Sequence, residues 1–239
     1  MGVERGMSMI NVSEGWKSSS PGVFFGILVM DRVENSPAHE GIERLKARLE
    51  EELRTKWAGK GRSELKAVHP FSAYERYFRR FGQGYPVSHQ LESVAMKGKP
   101  MLSPSSLVSC MFMAELKNGI LTAGHDLDRC NPPFCLDVSQ GSETYSVLGG
   151  KERRLAAGDM FLSDAKGILS SVLYGPDDRT AISLRTRRVL FCCYGVSAVE
   201  ATEIKEHLEE IEALVMVLSP SSRRAELAVF PSQTEGKRG

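Results

Sequence analysis

The sequence predicts an α+β domain, and two observations carry that reading. Through the first half of the chain apolar residues recur at three- and four-residue spacing. After Asn131-Pro132-Pro133 they fall instead into short β-rich runs separated by Gly, Asp and Pro turns. No internal repeat or low-complexity linker divides the 239 residues, a length that supplies ample core. The expected organisation is a flexible arm at residues 1–20, one domain over 21–218 and a flexible tail at 219–239.

Taken in order, Val23-Phe24-Phe25-Gly26-Ile27-Leu28-Val29-Met30 is an apolar run that reads as a strand buried on both faces. Asn35-Ser36-Pro37 breaks it and starts a helix, with Asn35 or Ser36 as the cap and Ile42, Leu45, Leu49 and Leu53 as its stripe. A second helix follows His69-Pro70. It interleaves Phe71, Tyr74, Phe78 and Phe81 with Arg76, Arg79 and Arg80 and closes at Gly82-Gln83-Gly84-Tyr85-Pro86. Aromatic rings at that spacing form a core stripe, while interleaved arginines also suit stacking and pairing with RNA. A third short helix opens at Ser88, and an apolar helical segment runs to Leu121. Strands are expected at residues 134–138, 144–148, 160–162, 168–173, 180–184 and 189–194. Ser197-Ala198-Val199-Glu200 is a capping box before a last helix striped by Ile204, Leu208, Ile211, Leu214, Val215 and Leu218.

Composition excludes several classes. Lys+Arg 31 against Asp+Glu 30 leaves a net charge of +1, so RNA contact needs local patches rather than a global field. The longest apolar run is too short for a bilayer, so no membrane partner is expected. Five cysteines without an export signal point to reduced thiols and a cytoplasmic location. The oligomeric state is not set by the sequence.

The chemistry-bearing stretch is Thr122-Ala123-Gly124-His125-Asp126-Leu127-Asp128-Arg129, where a histidine and two carboxylates follow a glycine at the end of an apolar run. One reading is a turn in which Asp126 and Asp128 cap backbone amides; the other is the rim of a site. His125, Asp128, Cys130 and Cys135 are ligand types that suit zinc, but their spacing is not that of a metal knuckle, and no metal is expected. Cys192-Cys193 sits in an apolar strand and reads as inert. No nucleophile elbow and no phosphate-binding glycine loop occurs; Gly149-Gly150 lacks the rest of that pattern. Arg185-Thr186-Arg187-Arg188 is the densest basic run and suits either phosphate or solvent.

One order of motifs goes further. The Asn-Ser-Pro break is followed by Tyr74-Glu75-Arg76-Tyr77-Phe78-Arg79-Arg80-Phe81-Gly82, then by Pro86-Val87-Ser88-His89-Gln90-Leu91-Glu92 and Lys97-Gly98-Lys99-Pro100. Gly124-His125-Asp126-Leu127-Asp128, Gly158-Asp159, Asp164-Ala165-Lys166-Gly167 and Arg179-Thr180 complete it. Over residues 20–218 this resembles the free-standing relatives of the editing, tRNA-binding domain of the bacterial phenylalanyl-tRNA synthetase β subunit. The resemblance implies an α+β fold with a mixed, mainly antiparallel sheet and packed helices. It also implies a pocket between Gly124-Asp128 and Leu173-Asp178 that hydrolyses mischarged aminoacyl-tRNA without cofactor or metal. His125 and Asp126 then serve the hydrolytic water, and Gly124, Asp128, Gly175 and Asp177 or Asp178 hold the substrate. In the synthetase the second loop carries two glycines and an acidic residue where this chain has Gly175-Pro176-Asp177.

The residues leave three functions open: an aminoacyl-tRNA deacylase, a non-catalytic module holding RNA through Arg76, Arg79, Arg80, Arg185, Arg187 and Arg188, and a pocket for a free amino acid or related molecule. Two geometric expectations follow from the first. The stretches at residues 124–128 and 175–178 should converge on one cavity, and His125→Ala should impair function more than fold, as for a loop histidine.

Overall fold

In the computed structural model, which describes residues 10–232, two sheets lie against each other and helices cover the outer face of one of them. The four-stranded sheet is built around β2 (Phe24–Asp31), whose interior is buried on both faces as its apolar run predicts. β10 (Val189–Tyr194) pairs antiparallel with β2 on one side and with β3 (Thr122–Asp126) beyond it. The five-stranded sheet runs in the order β1 (Ile10–Val12), β4 (Phe134–Val138), β7 (Met160–Asp164), β8 (Gly167–Ser171), β9 (Gly175–Pro176). Of these ladders only β1–β4 is parallel; the architecture is α+β with mixed, mostly antiparallel sheets. A hairpin of β5 (Thr144–Val147) and β6 (Lys151–Arg154) stands apart. β6 was not legible because all four of its side chains are solvated and carry no apolar period.

The helices follow their stripes. α2 (Glu40–Trp57) buries Ile42, Leu49, Leu53 and Trp57. Its cap is His39, not Asn35 or Ser36. Asn35 is instead spent on α6 (Ser106–Asn118), where its side-chain oxygen accepts from the Leu107 amide at 3.0 Å. α4 (Phe71–Arg79) buries Phe71, Tyr74 and Phe78, and Tyr74 stacks on Tyr85 at 4.6 Å between ring centres. The short α5 (Pro86–Leu91) runs straight on into a wider-wound turn, Glu92–Met96. α7 (Ala201–Leu218) opens on a capping box between Glu200 and Glu203, three residues later than expected.

Three expectations are corrected. The arm at 1–20 is not wholly loose: β1 joins the sheet edge at β4, and α1 (Glu14–Ser19), capped by Ser13, seats Trp16 almost fully buried. The tail at 219–239 contains β11 (Arg223–Pro231), which pairs along the whole of β2. A strand buried on both faces leaves a row of unpaired N–H and C=O groups along its free edge, and the tail satisfies them. Residues 1–9 and 233–239, the outer parts of arm and tail, lie outside the described residues. The strand expected at residues 180–184 shrinks to a single bridge between Ala181 and His125.

Truncation after Ser219 should therefore behave as loss of a core strand rather than removal of a tail. We expect roughly 3 kcal/mol or more of lost stability and a tendency to aggregate through the bared edge of β2, read by urea unfolding and light scattering.

Candidate functional site

The stretch Gly124-Asp128 is not a loop. Residues 122–126 form β3, every one of them buried, and only Leu127–Arg129 turn away as a single 3-10 turn. Along a strand successive side chains point to opposite faces. Thr122 and Gly124 face the helices; His125 faces the five-stranded sheet and has no exposed surface.

His125 sits in a continuous chain of hydrogen bonds. Its Nδ1 lies 2.8 Å from Thr180 Oγ1 and its Nε2 lies 3.0 Å from Ser170 Oγ. The Thr180 hydroxyl donates to Asp177, so it must accept from Nδ1–H, and Nε2 is left as an acceptor for the Ser170 hydroxyl. Ser170 Oγ in turn lies 2.7 Å from the Tyr194 hydroxyl, which also accepts from the Leu162 amide at 3.1 Å. The chain thus ties β3 and β10 to β7 and β8 and ends on the Asp177 carboxylate beside Arg179, 3.5 Å away. Arg179 reaches further, making a bidentate pair with Asp164 at 2.9 and 3.0 Å. Burial, reinforced by the Arg179 charge, holds the His125 imidazole down to about 3, so it is neutral at pH 7.

The two stretches 124–128 and 175–178 do meet, but they share a cavity only through Gly124, Gly175 and Pro176, and not through His125, Asp126, Asp177 or Asp178. The Asp126 amide donates to Thr180 O at 2.7 Å, and His125 Nδ1 lies 3.8 Å from Asp177 Oδ1. Their carboxylates, however, are turned to structural partners. Asp126 accepts from Thr186 Oγ1 at 2.8 Å and from the Asp128 amide at 3.2 Å. Asp128 is exposed and pairs with Arg188 at 3.3 Å. Asp178 is exposed and accepts from the Gly149 amide at 3.0 Å. Of the arginines, Arg188 is also matched by Asp31 and Arg187 donates to carbonyls of its own loop, while Arg185, Arg76, Arg79 and Arg80 are exposed. Cys192 and Cys193 are buried, and burial pushes both thiols up. Among the described residues no three His, Cys, Asp or Glu side chains converge as a metal site, and no helix is long and apolar enough to cross a membrane.

What opens on the helix face of β3 is a cavity of about 520 Å³, bounded by α6, β3, the turn at residues 172–176 and Ile182. Its wall is mostly apolar, with Phe112, Leu148, Tyr174 and Ile182 around the backbone of Gly124 and Gly175. Gly124 leaves no room for a side chain: a Cβ there would stand 2.7 Å from Ile182 Cδ1. Gly175 takes φ +75°, the left-handed conformation that glycine adopts without strain. The β5–β6 hairpin forms the outer rim, tied down where the Leu148 amide donates to Pro176 O at 3.0 Å and capped by Arg153 over the Tyr174 ring.

Among the described residues one carboxyl lines this cavity, and no sequence motif marks it. Glu115, on the α6 face that also presents Val108, Met111 and Phe112, is only 4% exposed. It accepts from the Thr122 amide at 2.8 Å, and burial pushes its carboxyl up to about 8. A lone glutamate in the run Met111-Phe112-Met113-Ala114-Glu115-Leu116 was the available signal, because charged side chains are rarely buried without a reason.

No protein-family model matches this chain, and no curated protein matches it significantly in sequence. Among solved structures, an N-terminal fragment of the phenylalanyl-tRNA synthetase β subunit from Pyrococcus horikoshii is distantly similar in fold, with a TM-score of 0.47 and 11% sequence identity. The match covers 91% of this chain and 54% of that one, so the chain spans about half the length of the fragment.

Two outcomes are expected. His125→Ala should act on the fold, unlike a loop substitution. It strands the hydroxyls of Ser170 and Thr180 and opens a void, costing roughly 2–4 kcal/mol in chemical denaturation. Glu115→Gln should act through pH. The folded carboxyl keeps its proton up to about 8 whereas the unfolded one loses it near 4.5, so wild-type stability falls as pH rises between those values. The glutamine variant should lack that fall and exceed wild type at pH 8 by an amount on the order of 2 kcal/mol, read from unfolding curves at pH 5 and pH 8.

Proposed function

We propose that this protein binds an amino-acid-sized apolar group, free or as the aminoacyl end of a tRNA, in the cavity between α6, β3 and residues 172–176. The observation that carries the reading is the pairing of an apolar wall with one buried carboxyl, Glu115. A cavity of about 520 Å³ lies in the range of small-molecule sites, and such sites join an apolar lining to a few polar groups. An α-ammonium group brought beside Glu115 draws off the carboxyl proton, because an opposite charge favours the ionised form and the dry wall strengthens the pair. Both a free amino acid and an aminoacyl ester carry that ammonium. Recognition is then by apolar side chain and amine together.

Ester hydrolysis of a mischarged aminoacyl-tRNA is the second reading, favoured by the meeting of the 124–128 and 175–178 stretches at this cavity. Binding without turnover is the simpler account of the geometry. His125 points away from the cavity, and it is neutral and saturated with hydrogen bonds. Asp177 is engaged by Thr180 and Arg179.

The test uses the full chain with phenylalanine, tyrosine and leucine, their amides and N-acetyl derivatives, followed by melting temperature. Ligands with a free amine and an apolar side chain should raise it, N-acetylation should abolish the effect, and Glu115→Gln should remove the preference for the amine. No shift with any of them would sink the pocket reading. The same protein incubated with tyrosyl- and phenylalanyl-tRNA should leave the ester intact; rapid deacylation would replace binding by hydrolysis.

A further inference from the structure

The Arg185-Arg188 loop leads into β10, and past the exit of that strand, some six residues and roughly 20 Å away, lies a second cavity of about 490 Å³. It opens between α4 and the ends of α1, β4 and β10. Arg76 and Arg80 line it from successive turns of α4, with Ser20, Ser139, Gly158 and Ser197 around them. Like charges at this spacing repel, so helices normally match them. On α2 this protein does so: Arg44, Arg48 and Arg54 each pair with a glutamate four residues away. What sets Arg76 and Arg80 apart from other unpaired arginines such as Arg79 is that both line one cavity. Among the described residues, no carboxylate lies within ion-pair distance of Arg76 or Arg80.

The acidic groups closest to this cleft are occupied. Asp159, behind the wall, accepts from the Tyr77 hydroxyl at 2.9 Å, and burial pushes its carboxyl up to about 6. Glu143 accepts from the Ser139 hydroxyl at 2.6 Å and from the amides of Gln140, Gly141 and Ser142. Arg80 is laid over the rings of Tyr77 and Phe81 at 5.5 and 5.3 Å, which limits its rotamers before any ligand arrives. The hydroxyls of Ser20 and Ser197 make no bond to a described residue and face the same space.

We propose that this cleft binds a phosphate monoester carried on a group of nucleotide size. Two unmatched guanidiniums call for two negative charges, and a monoester carries about −1.5 to −2 at pH 7 where a carboxylate or diester carries one. Guanidinium forks match the phosphate oxygens two at a time, and serine hydroxyls supply further donors. The cavity is several times larger than a phosphate group, leaving room for the esterified part against Tyr77 and Met160. A free mononucleotide and the 5′-phosphorylated end of an RNA both present this chemistry. The site is separate from the apolar cavity beside Gly124 and stands or falls independently of it.

The test is calorimetric titration of the full chain with adenosine 5′-monophosphate and, in parallel, adenosine. The monophosphate should bind at least about tenfold more tightly. Arg76→Gln and Arg80→Gln should each lower its affinity by about tenfold, whereas Arg79→Gln, exposed on the same helix but outside the cleft, should leave it unchanged. Equal binding of nucleoside and nucleotide, no binding at millimolar concentration, or an equal loss in Arg79→Gln would each overturn the proposal. The first two comparisons need no variant. A short single-stranded RNA with and without a 5′-phosphate separates the sources. Tighter binding of the phosphorylated RNA than of the mononucleotide assigns the site to RNA ends, and parity assigns it to the free nucleotide.

Discussion

The structure depends on one constraint, the line of hydrogen bonds from Tyr194 through Ser170, His125 and the Thr180 hydroxyl to Asp177. Each of these groups is buried, so each must be satisfied within the protein, and a buried donor or acceptor left alone is expensive. Because the line ends on a carboxylate, every proton in it has one direction. That directionality fixes the imidazole tautomer and, with it, the docking of β8 against β3. Residues 177–182 are held against the edge of β3 as a consequence, which brings Ile182 over Gly124 and closes the inner wall of the apolar cavity.

The same constraint gives the two faces of a single strand different surroundings. β3 presents His125 to the interior between the sheets and Gly124, one residue away, to the cavity. A histidine with both nitrogens bonded and its protonation suppressed to about 3 has no free valence for chemistry near neutral pH. On the cavity side the carboxyl of Glu115 has a single backbone partner among the described residues and an apolar surround. Among the described residues each cavity holds an ionisable group without an opposite charge beside it, a carboxyl that burial keeps protonated in one and two guanidiniums in the other. Such a group at a concave surface is what a complementary ligand can exploit.

Much of the fold was legible. β2, β4 and β10 and the stripes of α2, α4 and α7 follow from apolar period alone, because burial of one face or both writes that period into the sequence. The hidden elements lack the period for identifiable reasons. β6 is wholly solvated, and β11 is only half-buried and begins with polar and basic residues. The site was legible in part: the family resemblance implied 124–128 and 175–178 as partners, but not the side of β3 that each residue would face.

What the amino-acid sequence by itself determined is the alternation of helical and extended stretches, the mixed α+β class and the absence of a net electrostatic pull. Those properties are set by neighbours within a few residues or by simple sums over the chain. Only the tertiary structure decided that His125 is a tie between sheets, that Glu115 borders a cavity, and that Arg76 and Arg80 lack acidic partners among the described residues. The reason is physical. Burial, strand facing and charge balance depend on residues 45 to 144 positions away in the chain, as Ser170 is from His125 and Met160 from Trp16, and a local pattern carries no record of them.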